Sequence, residues 1–244
     1  MTSPDRQAAV SATLIQLADT LVSDYDLLEY LDLLLHRSAN SLEAEAGGVM
    51  LANQRGELQL LASTDEPARL MDLYELARQQ GPSVECFRDG VQVIEEDLAV
   101  TDRWPAFAPV AVTAGYRAVF AFPMRLRDQV IGALNLLRLE PGGVEAEAVR
   151  AAQAFAHMAA IGILHERAVR ESRELAGQLQ TALNTRVVIE QAKGIVADRT
   201  GADMGQAYQR LRWHARHHNE TLRSVAADVV ARVLHVEELE SVRE

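Results

Sequence analysis

The stretch "YRAVFAFPMRLRDQVIGALNLLRL", from Tyr116 to Leu139, decides the fold. Two apolar runs, "YRAVFAFPMRL" and "QVIGALNLLRL", are separated by Arg127-Asp128. Each run has the length of a strand, and the polar pair between them suits a tight turn. Together they read as an antiparallel hairpin in the middle of a sheet.

Working upstream, "GVQVIEED" is a short strand. Pro67 opens a helical stretch, "ARLMDLYELARQQG", that Gly81-Pro82 stops. "GGVMLANQRGELQLLAS" reads as two strands joined by a turn around Asn53 to Gly56. "AAVSATLIQLADTLV" and "DLLEYLDLLLHRSANSL" carry apolar residues at helical spacing. Downstream, no strand-like run follows Val144. From Glu145 to Asp198 there is no proline, and only Gly162, Gly177 and Gly194 interrupt a helix. The expected class is α+β, in the order helix, helix, strand, strand, helix, strand, short helix, strand, strand, helix, followed by a helical C-terminal part.

That order over residues 11–166 resembles a GAF domain, a small-molecule sensor with a central antiparallel sheet flanked by helices. The most specific parts are "GPSVECFRDGVQVIEEDL" and "RWPAFAPVAVTAGYRAVFAFPMRLRDQVIGALNLLR". The second matches the family's closing hairpin, in which a strand ends in Pro and a short turn leads into "IGALNL".

The residues supply no catalytic apparatus: no paired carboxylates on a credible scaffold, no phosphate-cradling glycine loop, no nucleophile elbow. An enzyme is not expected, and no catalytic or metal-ligating residue is assigned. Cys86 is the single cysteine, which excludes an intrachain disulfide and a Cys-rich metal site. Some GAF domains attach a bilin to cysteine, and a lone thiol can sense redox state. A small buried hydrophobe at the start of a helix is the plainer reading of Cys86. His36, His157 and His165 lie in amphipathic helices, where surface histidines are commoner than haem ligands. Cys86, Trp104, Phe107, Phe120, Phe122 and Asn135 are candidates to line a ligand pocket, and are equally what a core contains. The cofactor stays unknown.

Composition bounds the rest. The chain has 244 residues, 48% of them hydrophobic, enough for a sizeable core. No apolar run is long enough to span a bilayer, and "MTSPDRQAAV" lacks the order of a secretion signal. A soluble cytoplasmic protein without a membrane partner is expected. The abundance of Ala, Arg and Val suggests a GC-rich bacterial genome. The net charge of −11 speaks against a nucleic-acid partner, but it is unevenly spread. Residues 1–166 carry 12 basic and 24 acidic side chains, whereas residues 182–235 carry 8 basic and 5 acidic. Such asymmetry suggests a nucleic-acid-binding end, or simply a solvated face.

Residues 167–181 read as a coiled-coil linker helix. Across "LHERAVRESRELAGQLQTALNTRVVIE" the apolar positions are Leu164, Ala168, Leu175, Leu179, Ala182 and Ile189, with Arg186 the polar exception. A helix this polar is marginal alone, so a partner helix is expected. A homodimer joined near residues 160–190 is its simplest source.

"ALNTRVVIEQAKGIVADRTGADMGQAYQRLRWHARHHNETLRSVAADVV", Ala182 to Val230, resembles an ANTAR domain, the RNA-binding module of bacterial transcription antitermination regulators. The landmarks are Arg186, Ile189, Gln191-Ala192-Lys193-Gly194, Ala207, Leu211, Ala215, Asn219, Leu222 and Ala226. "WHARHH" departs from the pattern in its aromatic and imidazole content. With its flank the expected domain is 182–235, and the pairing of domains resembles the actinobacterial type. The residues agree with a three-helix unit. Gly201 ends the first helix, Asp203 caps the second, Asn219 ends it and Thr221 opens the third. The polar residues left outside that core are the candidate RNA contacts: Arg186, Gln191, Lys193, Gly194, Arg212, Arg216 and Arg223. Lys193 is the only lysine among 24 basic side chains, and Glu190 is placed to pair with Arg186 at i,i+4.

The resemblances imply a signal-responsive antitermination regulator whose ANTAR-like part binds two small stem-loops in nascent RNA. The alternative is a sensor that binds DNA through a helix-turn-helix-like C-terminus, because "LRSVAADVV" can pass for one. That alternative needs a further recognition helix, and the acidic "VEELESVRE" follows instead.

Overall fold

The computed structural model describes residues 3–21 and 25–239. Val22, at the end of the first expected helix, and residues 240–244 of the acidic C-terminal segment lie outside the described residues. The chain divides into two compact units, Met1–Ala168 and Val169–Glu244.

The first unit is α+β. Helices α1 (Ser3–Thr20) and α2 (Leu27–Leu42) precede strands β1 (Ala46–Ala52) and β2 (Leu58–Ser63). Helices α3 (Glu66–Arg78) and α4 (Pro82–Asp89), strand β3 (Val93–Glu95) and helix α5 (Phe107–Thr113) follow. The hairpin β4 (Ala118–Leu126) and β5 (Gln129–Arg138) leads into helix α6 (Ala146–Thr200), 55 residues long. The five strands are ordered β2-β1-β5-β4-β3, all antiparallel. The expected hairpin is therefore central, turning at Arg127, whose φ is +54°. Helix α4 is missing from the expected order. A stop at Gly81-Pro82 is also a start, because proline suits the first turn of a helix.

Both faces of the sheet are buried, which is why its central strands read as continuous apolar runs. On one face, Phe120, Phe122, Leu134 and Leu136 pack with Leu31, Leu34 and Leu35 of α2 and with Ala152, Phe155 and Ala159 of α6. Alanines along α6 allow a close approach. At Gly162 a Cβ would run into the ring of Tyr30, whose hydroxyl donates to the Met158 carbonyl at 3.0 Å. On the other face, Val119, Ala121, Ala133 and Leu137 pack with Met71 of α3, Cys86 of α4 and Phe107 of α5. Pro123 is tolerated in β4 because β3 pairs only with Val119–Ala121 and does not reach it.

In the second unit the C-terminal part of α6 is joined by α7 (Met204–His217), α8 (Leu222–Val230) and a 3₁₀ turn, Val236–Glu238. The caps are as the residues imply. Gly201 has φ +66°. Asp203 Oδ1 accepts from Gln206 N at 2.8 Å within a capping box. Asn219 has φ +55°, and Thr221 Oγ1 accepts from Ser224 N at 3.1 Å. The core is small: Ala192 and Val196 of α6, Ala207, Leu211 and Ala215 of α7, Val225, Ala226 and Val229 of α8, closed by Val236 and Leu239. No described helix is long and apolar enough to cross a membrane.

Candidate functional site

In the first unit the chemistry is interior. Asp72 and Glu75 belong to the stripe of α3 that faces the sheet, with Ala68 and Met71, and both are buried. Asp72 Oδ1 accepts from Asn135 Nδ2 at 2.7 Å, and its Oδ2 accepts from Ser63 Oγ at 2.9 Å. Asn135 Nδ2 also donates to Ser83 Oγ at 3.0 Å, while Asn135 Oδ1 is buried without a hydrogen-bond partner. Glu75 Oε1 accepts from Ser83 N at 2.6 Å and Val84 N at 2.9 Å. It thereby caps α4, whose own N-cap is Gly81 and supplies no side chain. Burial pushes the carboxyl of Asp72 up to about 6, against the hydrogen bonds from Asn135 and Ser63. Burial pushes Glu75 up to about 8, against the backbone hydrogen bonds from α4. These acids stand in an apolar stripe of a predicted helix, and that misfit is the signal by which sequence reasoning could have found them.

Of the six candidate pocket residues, Cys86, Trp104 and Phe107 pack on the α3–α5 face of the sheet, where Asn135 also points, toward Asp72. Phe120 and Phe122 pack on the opposite face, because alternate residues of β4 point to opposite sides. All six are buried. A hollow of about 460 Å³ near α5 is lined by Leu98, Thr101, Pro105, Ala108 and Val112, among others, and by none of the six. Cys86 has no exposed surface, and burial pushes its thiol up to about 12. Trp104 Nε1 donates to Glu85 Oε2 at 2.8 Å. His36 and His157 are exposed, and His165 stacks on Tyr25. No cluster suited to a metal ion occurs among the described residues.

In the second unit the guanidiniums are on the surface, while His214 is buried. Arg186, Gln191, Arg212, Arg216 and Arg223 are exposed. Arg212 and Arg216 sit one turn apart on α7, and Arg223 is in the first turn of α8. Among the described residues, none of these four guanidiniums is held in an ion pair. Glu190 does not pair with Arg186, as the i,i+4 spacing suggested. It takes Lys193 at i,i+3 instead, with both carboxylate oxygens 2.9 Å from Nζ. The lysine is only 16% exposed and lies 5.9 Å from the ring centroid of Tyr208 on α7, so its stem crosses the boundary of the small core while its ammonium reaches Glu190. Beyond its own helix backbone, Gly194 has no described atom within 4 Å of the position a Cβ would take. It does not serve packing among the described residues.

A second correction concerns the seam on α6. Ile189 turns toward the core of the second unit. In the second unit's part of α6 the exposed large apolar side chains are Leu175, Leu179, Leu183 and Val187, each a turn from the last.

A family model described as "GAF domain" matches residues 25–164, more than half of the chain. The chain belongs to the GAF domain family. A second model, described as "ANTAR domain", matches residues 177–230, so this GAF protein also carries an ANTAR domain. No curated protein matches the chain. Among solved structures, it is similar to the GAF domain from an Acinetobacter phosphoenolpyruvate-protein phosphotransferase, with 17% identity over 67% of this chain and 98% of that one, TM-score 0.52. The GAF domain of the corresponding Coxiella burnetii enzyme gives 18% identity over 66% and 96%, TM-score 0.53. Free methionine-R-sulfoxide reductase from Neisseria meningitidis, solved in complex with its substrate, gives 14% over 69% and 96%, TM-score 0.53. Identities this low show a shared fold and nothing further.

Proposed function

We propose that this GAF and ANTAR domain protein is a signal-responsive regulator of transcription antitermination. Its ANTAR domain binds paired stem-loops in nascent RNA, and binding keeps a terminator hairpin from forming. The GAF domain senses a small molecule or a chemical state. The observation that carries this reading is the ANTAR match over residues 177–230, on a three-helix unit whose guanidiniums at Arg186, Arg212, Arg216 and Arg223 are exposed and free of ion pairs among the described residues. Such cations suit phosphates, and arginine also stacks on unpaired bases. Lys193, Gln191 and Gly194 complete the proposed surface on α6. The open backbone at Gly194 supports close approach by a binding partner, and Lys193 reaches a phosphate by exchanging Glu190 for it. The regulator acts by binding rather than catalysis, in the cytoplasm where nascent RNA is made.

The chain works as a homodimer. Leu175, Leu179, Leu183 and Val187 are each more than half exposed, and a second copy of the same helix covers them with the same residues. Two ANTAR domains then serve two stem-loops. For the GAF domain, the match of its family model over residues 25–164 supports a small-molecule input.

The test is binding of the full chain to a two-hairpin RNA and to duplex DNA of equal length in 150 mM salt. Preference for the RNA by at least about tenfold is expected. Equal binding, or preference for DNA, overturns the proposal. Past α8, among the described residues, the 3₁₀ turn Val236–Glu238 follows, and its Val236, with Leu239, closes the core, which supports the RNA reading over a DNA one. Light scattering that finds only monomers at tens of micromolar, with and without RNA, overturns the dimer.

A further inference from the structure

Trp213 is out of place on α7. The helix buries Ala207, Leu211, His214 and Ala215, and at 100° per residue Trp213 falls on the side away from the centre of that face. It belongs to no core cluster. Its indole is half-buried, stacked on the exposed imidazole of His217 one turn along. The ring centroids are 3.7 Å apart and the planes 24° from parallel. The imidazole is held in place through Nδ1, 3.2 Å from the Trp213 carbonyl oxygen. Arg212 precedes the indole and Arg216 follows it by one turn, both exposed and free of ion pairs among the described residues. Trp213 itself makes no hydrogen bond among the described residues through its indole N–H.

The surroundings choose the partner. A tryptophan that docks on protein is usually the centre of an apolar patch ringed by polar groups. Here the neighbours on the same face, three and four residues away, are Gln209, Arg210, Arg216 and His217, with Arg212 adjoining in sequence. An aromatic face with guanidiniums on either side is the composition that binds single-stranded nucleic acid, where the base stacks on the ring and the cations take the flanking phosphates. The imidazole is held by the Trp213 carbonyl and the indole by its stack on that imidazole, so less side-chain entropy is lost when a base arrives.

We infer that the Trp213–His217 pair is a stacking site for one unpaired base of the RNA, with Arg212 and Arg216 on the adjoining phosphates. This rests on the RNA reading above and adds a base-contacting element to it.

The experiment measures binding of the full chain to the two-hairpin RNA by fluorescence anisotropy, over a range of salt. Trp213→Ala should weaken binding about ten- to a hundred-fold, and Trp213→Phe should retain most of the affinity. The Trp213→Ala variant should keep the parent's dependence of log K on log salt, since a stacked base releases no counterion. Arg216→Ala should lower that slope by about 0.7–0.9. In a Trp104→Phe background the remaining indole emission should be quenched as RNA saturates. Replacing loop bases one at a time by abasic sites should reveal one position that weakens the parent as Trp213→Ala does and has no further effect on that variant. An unchanged melting curve is expected for Trp213→Ala, because the ring packs on no core. If the parent binds the RNA and Trp213→Ala binds it within twofold, the stacking site is wrong and the RNA reading stands. If Trp213→Ala disrupts self-association instead, the indole is a protein contact and the stacking site is again wrong. If the parent binds no RNA, the functional reading fails first.

Discussion

Gly48 and Gly194 stand in opposite surroundings. Gly48 lies in β1 opposite Asn135 of β5, and a Cβ there would overlap Asp72 Oδ2 and reach Asn135 Oδ1 at 3.0 Å. Gly194 has open space where its Cβ would be. The GAF domain turns its polar chemistry inward: an acid from α3 reaches the sheet only because β1 has no side chain in the way. The ANTAR domain turns its guanidiniums outward, over a small core in which His214 is the buried polar side chain among the described residues. A buried acid couples a change in protonation to packing, whereas an exposed guanidinium stays hydrated until an anion arrives.

The largest expected effect tests the inward half. Glu75 has a folded pKa of about 8, above its ordinary 4.5. The folded state therefore holds more protons than the unfolded chain between those values, and stability falls as pH rises from about 4.5 to about 8. Asp72 adds a fall between 3.8 and about 6. Glu75→Gln keeps an acceptor for Ser83 N and Val84 N but removes the titration. The parent should lose on the order of 3–5 kcal/mol between pH 5 and pH 9 through this group, and Glu75→Gln should lose much less. Thermal melts of both chains at the two pH values decide it; equal losses would mean that Glu75 titrates as an exposed acid does.

Next in size is the contrast between the two glycines. Gly48→Ala should destabilise the GAF domain by about 2–4 kcal/mol, because Asp72 is held by two hydrogen bonds and cannot swing away. A denaturation midpoint equal to the parent's would show that the acid gives way freely. Cys86→Ala should cost about 1 kcal/mol, the loss of one small buried group, and the parent thiol should stay unalkylated until the chain unfolds. Rapid labelling in the native state would reopen a redox or chromophore role for Cys86. The smallest effect has the opposite sign. Gly194→Ala should stabilise the ANTAR domain by about 0.5–1 kcal/mol, since alanine is the better helix former and nothing blocks it. It should nonetheless weaken RNA binding; a more stable variant that binds RNA fully would assign Gly194 no part in the contact.

What the sequence determined by itself is local in origin. The β4–β5 hairpin was legible because two apolar runs and a polar pair are a property of adjacent residues. The caps at Asp203 and Thr221 and the left-handed positions at Gly201 and Asn219 depend on residues within one turn. The exposure of Arg212, Arg216 and Arg223 was legible because the apolar stripes of α7 and α8 leave them only the outer face. The tertiary structure alone decided the rest. Helix α4 is eight residues long, too short to announce itself by periodicity, and its N-terminus is satisfied by Glu75 from another helix. Ile189 was placed on the α6 seam until α7 and α8 claimed its face. Glu190 had basic residues at both i−4 and i+3, and the choice of Lys193 came only with Tyr208 of α7 close by. Asp72 and Asn135 are 63 residues apart. Their meeting, and the burial that raises the carboxyl, exist only once β1, β5 and α3 have packed together, because desolvation is set by every element around a charge and not by the residue that carries it.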